Sequence, residues 1–152
     1  MPSYIVTCVD GRLNASQKSR VAEAVTRAHG GSTGAPHYFV QVTLNEVKPG
    51  NYFLGGMQLS CDQIFVHGFI RDGRPTEMKD ALMARLTSDV ALASQMNANC
   101  VWVYLSEIPP NQMVEFGRVL PLHGKEAEWS TALPEAEKAR LESIGIRKEV
   151  LV

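Results

Sequence analysis

Two stretches of this chain follow one pattern. Gly11-Arg12 recurs as Gly73-Arg74, and Val40-x-Val42-x-Leu44-x-Glu46 recurs as Val101-x-Val103-x-Leu105-x-Glu107. In each copy a β-branched and aromatic run reaches an Asp-Gly turn, a helical stripe follows, and a second apolar run closes the unit. A βαβ unit made twice leaves few architectures, because each helical crossover forces its two strands parallel and right-handed. The predicted fold is α/β: two fused βαβ units forming a four-stranded sheet with two helices on one face. The units cover about residues 2–48 and 63–108 of a single domain spanning 1–152, and 109–152 form a C-terminal extension.

Within the first unit, Ser3 to Val9 reads as a strand and Asn14 as a helix cap, with Gln17 at the reciprocal capping position. Val21, Val25 and Ala28 form the buried stripe, Gly30, Gly31 and Gly34 end the helix, and Tyr38 to Val47 form the second strand. In the second unit, Ile64 to Ile70 is a strand and Thr76 caps a helix carrying Leu82, Leu86, Val90 and Ala93. Val101 to Glu107 is the fourth strand. The Gly-rich stretch from Pro49 to Asp62 reads as a hairpin excursion. Pro134 to Ser143 reads as one more polar helix.

With both helices on one face, the other face of the sheet is uncovered. Phe39-Val-Gln-Val42 and Ile64-Phe-Val66 are too apolar for a wet surface, so self-association is expected to bury it.

The composition is that of a soluble globular protein, 45% hydrophobic and 20% charged. A chain of this length buries roughly 68–70% of its unfolded surface, enough for a core without a metal or disulfide staple. Fifteen basic and sixteen acidic residues leave a net charge of -1, which argues against nucleic acid as a partner. No apolar span or secretory leader is visible, so no membrane association is expected. Cys8, Cys61 and Cys100 are an odd, unclustered set that fits reduced thiols and a cytoplasmic setting, with Cys8 and Cys100 in the core.

Several residues could carry chemistry. Pro2 suits the first position of a strand, where no ladder hydrogen bond is donated. Once Met1 is lost it would also be a secondary amine, starting from a pKa of about 7.7–8.0 and able to act as acid or base near neutrality. Arg71 and Arg74 flank Asp72-Gly73. A tight turn can fold both guanidinium groups toward one carboxylate, although such loop arginines are often simply solvated. His29 stands just before Gly30-Gly31, as a helix-end cap or as a hydrogen-bond donor to an anion. Tyr104 lies in the fourth strand, where a half-buried sheet tyrosine is the ordinary role. Glu115 follows Pro109-Pro110, where a surface carboxylate in a short helix is the ordinary role. His37, His67 and His123 show no metal-ligand spacing, and no phosphate-binding glycine motif follows a strand, so no metal and no cofactor are expected.

The combination of a doubled βαβ unit with Pro2 resembles the tautomerase superfamily, and more closely the cis-3-chloroacrylic acid dehalogenase family. The stretches that carry the resemblance are Ala22 to His29, Tyr38 to Glu46, Gly50-Asn-Tyr-Phe-Leu-Gly-Gly56, Ile64 to Arg74, Val101-Trp-Val-Tyr104 and Gln112-Met-Val-Glu-Phe-Gly-Arg118. The resemblance implies a homotrimer and a site made of Pro2, His29, Arg71, Arg74, Tyr104 and Glu115. In the implied reaction, Arg71, Arg74 and His29 hold the carboxylate of a short unsaturated acid. Glu115, helped by Tyr104, activates water, and Pro2 protonates the α-carbon. The function so implied is hydration or hydrolytic dehalogenation of a 3-haloacrylate-like or acetylenic acid. Two alternatives stand beside it: a keto–enol tautomerase with neutral Pro2 as general base, and a non-catalytic trimeric binding protein.

Overall fold

The computed structural model describes residues 2–145. Met1, whose removal the amine chemistry requires, and residues 146–152 of the expected extension lie outside the described residues.

The chain runs β1 (Ser3–Val9), α1 (Ala15–Thr33), β2 (Gln41–Val47), the small hairpin β3 (Phe53–Leu54) and β4 (Met57–Gln58), then β5 (Ile64–Arg71), α2 (Thr76–Ser94) and β6 (Val101–Ile108). A second small hairpin, β7 (Val114–Glu115) with β8 (Arg118–Val119), leads to α3 (Glu126–Thr131) and α4 (Glu135–Glu142). The main sheet has the order β2-β1-β5-β6. β1 pairs parallel with β2, β5 parallel with β6, and the two units meet antiparallel along β1 and β5, with Val6 opposite Val66. This is the doubled α/β sandwich that the repeat predicts.

The alternation of each strand decides what the helices cover. Tyr4, Val6 and Cys8 from β1 and Ile64 and Val66 from β5 point under α1 and α2 and are buried with Val21, Val25, Leu82, Leu86 and Val90. Each such side chain contributes on the order of 1.5–3 kcal/mol by leaving water. Asn14 and Gln17 form the expected capping box, each side chain bonded to the other residue's backbone N–H.

Four local readings need correction. The α1 helix does not end at Gly30-Gly31 but runs through them to Thr33, with Gly34 as its left-handed cap at φ 73°. The glycines serve close approach: a Cβ on Gly31 would stand 2.2 Å from Nη1 of Arg85, and one on Gly30 would stand 2.8 Å from the His37 ring. Thr76 is the first residue of α2, behind Pro75, and makes no side-chain cap. The second strand starts at Gln41 rather than Tyr38, because His37–Phe39 is a 3-10 turn. Phe39 belongs instead to a second core with Leu120, Trp129, Leu133 and Leu141, its ring 5.8 Å from that of Trp129. Glu115 lies in a hairpin strand rather than a short helix, ahead of a tight Phe116-Gly117 turn at φ 52° and 74°.

The open sheet face is apolar, as expected, but of the apolar residues expected to make it so only Phe65 lies on it. Val42, Ile64 and Val66 point at the helices, while Ile5, Phe65, Trp102 and Tyr104 face outward. Among the described residues no helix is long and apolar enough to cross a membrane. Cys8 is fully buried and Cys100 half-buried against the core, while Cys61 is exposed.

Candidate active site

Pro2 is buried just ahead of β1, and its carbonyl accepts the Gln41 N–H at 3.1 Å, which pins it to the start of β2. It lines a cavity of about 400 Å³ together with Phe39 and with Glu115 from the β7–β8 hairpin. The proline from the first unit and the carboxylate from the C-terminal extension thus share one space, although more than one hundred positions separate them in sequence.

A second cavity of about 360 Å³ also touches Phe39. Arg71 and Arg74 both line it, opposite Glu126 and Ser130 of α3. Gly73, at φ 88°, makes the turn between the two arginines, and both line this cavity, one of the two outcomes the Asp-Gly pattern allows. The Arg74 Nη1 donates to the Arg71 carbonyl at 2.5 Å. Arg71 Nη1 donates to the Pro121 carbonyl at 2.7 Å, and its Nη2 donates to the Glu126 carboxylate. Both arginines are more than nine-tenths buried, and the Nε–H of each has no partner among the described residues. Burial, and after it the neighbouring Arg71 guanidinium, pull the Arg74 pKa below its ordinary range.

His29 does not cap the helix end. It is fully buried, with Nδ1 2.7 Å from the Tyr4 hydroxyl. Burial, and after it the Arg74 guanidinium, push the imidazole pKa down to about 3, so the ring is neutral near pH 7. Burial holds the Tyr4 phenol above its ordinary range, so it keeps its proton. If Nδ1 donated to Tyr4, the tyrosine proton would be left without an acceptor. If Tyr4 donates to Nδ1, only the imidazole Nε2–H is left over, and Nε2 has no partner among the described residues. The second arrangement satisfies more groups and makes Nε2 a free donor.

Tyr104 is not brought to the Pro2 cavity of its own chain. It is 56% exposed on the open sheet face, packed edge-to-face on Phe65 at 5.0 Å, with β5 between its strand and β1. Three partners escaped the sequence reading. Tyr4 had a signal: a residue in phase with Val6 and Cys8 points inward, and a buried hydroxyl needs a partner. Pro121 and Glu126 had none, because their contacts with Arg71 span fifty and fifty-five positions of chain.

A family model described as "Putative oxalocrotonate tautomerase enzyme" matches residues 1–133. The chain is similar to a solved member of the cis-3-chloroacrylic acid dehalogenase family, 35% identical over 93% of this chain and 99% of that one, with a TM-score of 0.90. It is 38% identical over 60 residues to a "Probable tautomerase" of Bacillus cereus, covering 40% of this chain and 97% of the relative, about the length of one repeat. A native fused 4-OT shares the fold at a TM-score of 0.72 and 24% identity, over 77% of this chain and 94% of that one.

Proposed function

The chain belongs to the tautomerase superfamily, and within it to the cis-3-chloroacrylic acid dehalogenase family; from that premise we propose that it adds water to a short α,β-unsaturated carboxylic acid, 3-haloacrylate-like or acetylenic. The observation that carries this reading is the cavity shared by Pro2 and Glu115, adjoining the cavity of Arg71 and Arg74. Adding H and OH across a multiple bond needs a proton donor and a base that activates water, and an amine with a carboxylate across one space supplies both.

The steps follow from the residues. The carboxylate of the acid sits on the arginines and draws electron density away from the β-carbon. The Nε2–H of His29, which has no partner among the described residues, donates to the same anion. Glu115 takes a proton from water as its oxygen bonds to the β-carbon. The π electrons move toward the α-carbon, where Pro2, a secondary ammonium once Met1 is removed, delivers its proton. With a 3-halo acid the product is a halohydrin, which expels halide, loses its hydroxyl proton and leaves malonate semialdehyde. Tyr104 lies on a face that a homotrimer would cover, and from there it would assist the Glu115 of a neighbouring copy.

The test is to incubate Met1-free protein with cis-3-chloroacrylate, trans-3-chloroacrylate and propiolate and follow the products by NMR. We expect malonate semialdehyde from the wild type, and loss of turnover of 10²-fold or more in Pro2→Ala and Glu115→Gln, the size typical of general acid–base groups. A Met1-free protein that turns over none of the three acids would sink the reading. The second reading, keto–enol tautomerisation by neutral Pro2, draws on the description of the Bacillus relatives as probable tautomerases. The pH profile separates the two: hydration needs Pro2 protonated, tautomerisation needs it neutral.

A further inference from the structure

The cavity of Arg71 and Arg74 already holds a carboxylate. Glu126, at the start of α3, reaches across it to Arg71 Nη2, and its Oε1 lies 3.7 Å from Nδ1 of His123. Burial opposes ionisation of Glu126. Its hydrogen bonds with the backbone and with Arg71, and then the guanidinium charge, outweigh that and hold it below the ordinary carboxylate range. Its charge also reaches Arg74. A substrate acid entering here meets an anion on one of the two groups meant to receive it.

We propose that Glu126 is a resident stand-in for the substrate carboxylate, displaced from Arg71 when an acid binds, and so a determinant of which ligands the site accepts. The proposal deepens the functional reading above and rests on it. Two features make displacement feasible. The Glu126 side chain is 37% exposed, so on leaving Arg71 it returns to water rather than to an apolar interior. The helix that carries it is held chiefly by its own small core: Trp129 packs with Phe39, Leu120 and Leu133, its indole N–H donates to the Val119 carbonyl at 2.9 Å, and the main core includes no residue of α3. The segment can therefore shift without opening the sheet-and-helix core. Displacement requires a ligand with a carboxylate of its own, because a neutral amide or ketone offers Arg71 nothing to replace the lost charge. Glu126 thus lowers the affinity for acids by competing with them for the arginine.

The experiment measures binding without turnover. Propionate and propionamide are titrated by NMR into the full-length wild-type chain, Glu126→Gln and Glu126→Asp, with circular dichroism confirming that each variant is folded. Removing the resident charge is expected to tighten propionate roughly tenfold, the scale of one charge-assisted hydrogen bond, and to leave propionamide unchanged. Glu126→Asp, which shortens the reach to Arg71, is expected to tighten propionate by a smaller factor and serves if the Gln variant does not fold. Wild-type binding of propionate with no tightening in either variant overturns the proposal and leaves the carboxylate site standing. Equal tightening of acid and amide also overturns it, because that is a loosened roof rather than a removed competitor. Absence of propionate binding in every protein overturns both this proposal and the functional reading.

Discussion

The Tyr4 hydroxyl and Nδ1 of His29 are 2.7 Å apart, and both side chains are fully buried. The bond joins the first strand to the first helix and selects the imidazole tautomer that keeps a proton on Nε2. Tyr4→Phe removes the donor and leaves Nδ1 buried without a partner. It is expected to cost about 1–3 kcal/mol in urea unfolding with an unchanged m-value. Under the proposed mechanism turnover falls as well, in samples shown to be folded, because His29 no longer has a fixed donor. A Tyr4→Phe protein as stable and as active as wild type would mean that the bond does neither job.

His29 also sets a pH dependence. Its folded pKa of about 3 lies below the ordinary value of 6.5, so the unfolded chain binds a proton that the folded one refuses. Stability from this group is complete above pH 6.5 and is lost as pH falls from there toward 3. The slope is up to about 1.4 kcal/mol per pH unit. The carboxylates with lowered pKa values, Asp62, Glu126 and Glu137, start from 3.8 and 4.5 and add their own loss only lower down. Between pH 6.5 and about 4.5 the slope therefore belongs to His29. Denaturant unfolding at half-unit pH steps checks this: His29→Gln should flatten the curve in that interval, and an unaltered slope would assign it elsewhere.

Gly68 faces the same tyrosine. A Cβ there would stand 2.4 Å from Tyr4 Cε1 and 3.0 Å from Leu105 Cδ2. Tyr4 cannot swing aside without breaking its bond to His29. Gly68→Ala is expected to cost about 1–3 kcal/mol through overpacking. Combined with Tyr4→Leu, the two losses should sum to less than their separate values, since the second change removes the clash of the first. Calorimetry of both single variants and the double variant decides; simple additivity would place the strain at another neighbour.

The open sheet face carries the quaternary prediction. Ile5, Trp102 and Tyr104 are 37%, 42% and 56% exposed, and Phe65 and Phe69 flank the His67 ring between them. Such a surface in water calls for a partner. Analytical ultracentrifugation should find a trimer for wild type and monomer at micromolar concentration for Trp102→Glu. If Tyr104 serves a neighbouring copy, the monomeric variant also loses turnover. A wild-type chain that sediments as a monomer would end the trimer proposal.

The doubling of the unit, the direction of its strands and the helix-covered face were all legible in the residues. They depend on short-range order: a turn, a stripe at helical spacing, an alternation in a strand. Local geometry allowed the two arginines to fold to one side of the Asp-Gly turn but left open whether they would be solvated, and burial in one cavity decided it. Helix and strand ends were less legible. Gly30-Gly31 looks like a stop, but Arg85 and His37 pack against it and use the missing side chains as room. Phe39 looks like strand, but a second core built from the distant 120–141 region takes it away from the sheet.

The sequence by itself determined the fold, because hydrophobic period and turn chemistry are properties of neighbours in the chain, and its resemblance to a known family named the candidate side chains. Only the tertiary structure decided how those side chains are held. It set Pro2 and Glu115 on one cavity, turned Tyr104 away to the open face, gave His29 to Tyr4 and gave Arg71 to Glu126. The physical reason is that hydrogen bonds and charges act over a few ångströms of space. Partners that far apart in sequence become neighbours only when packing closes the chain between them.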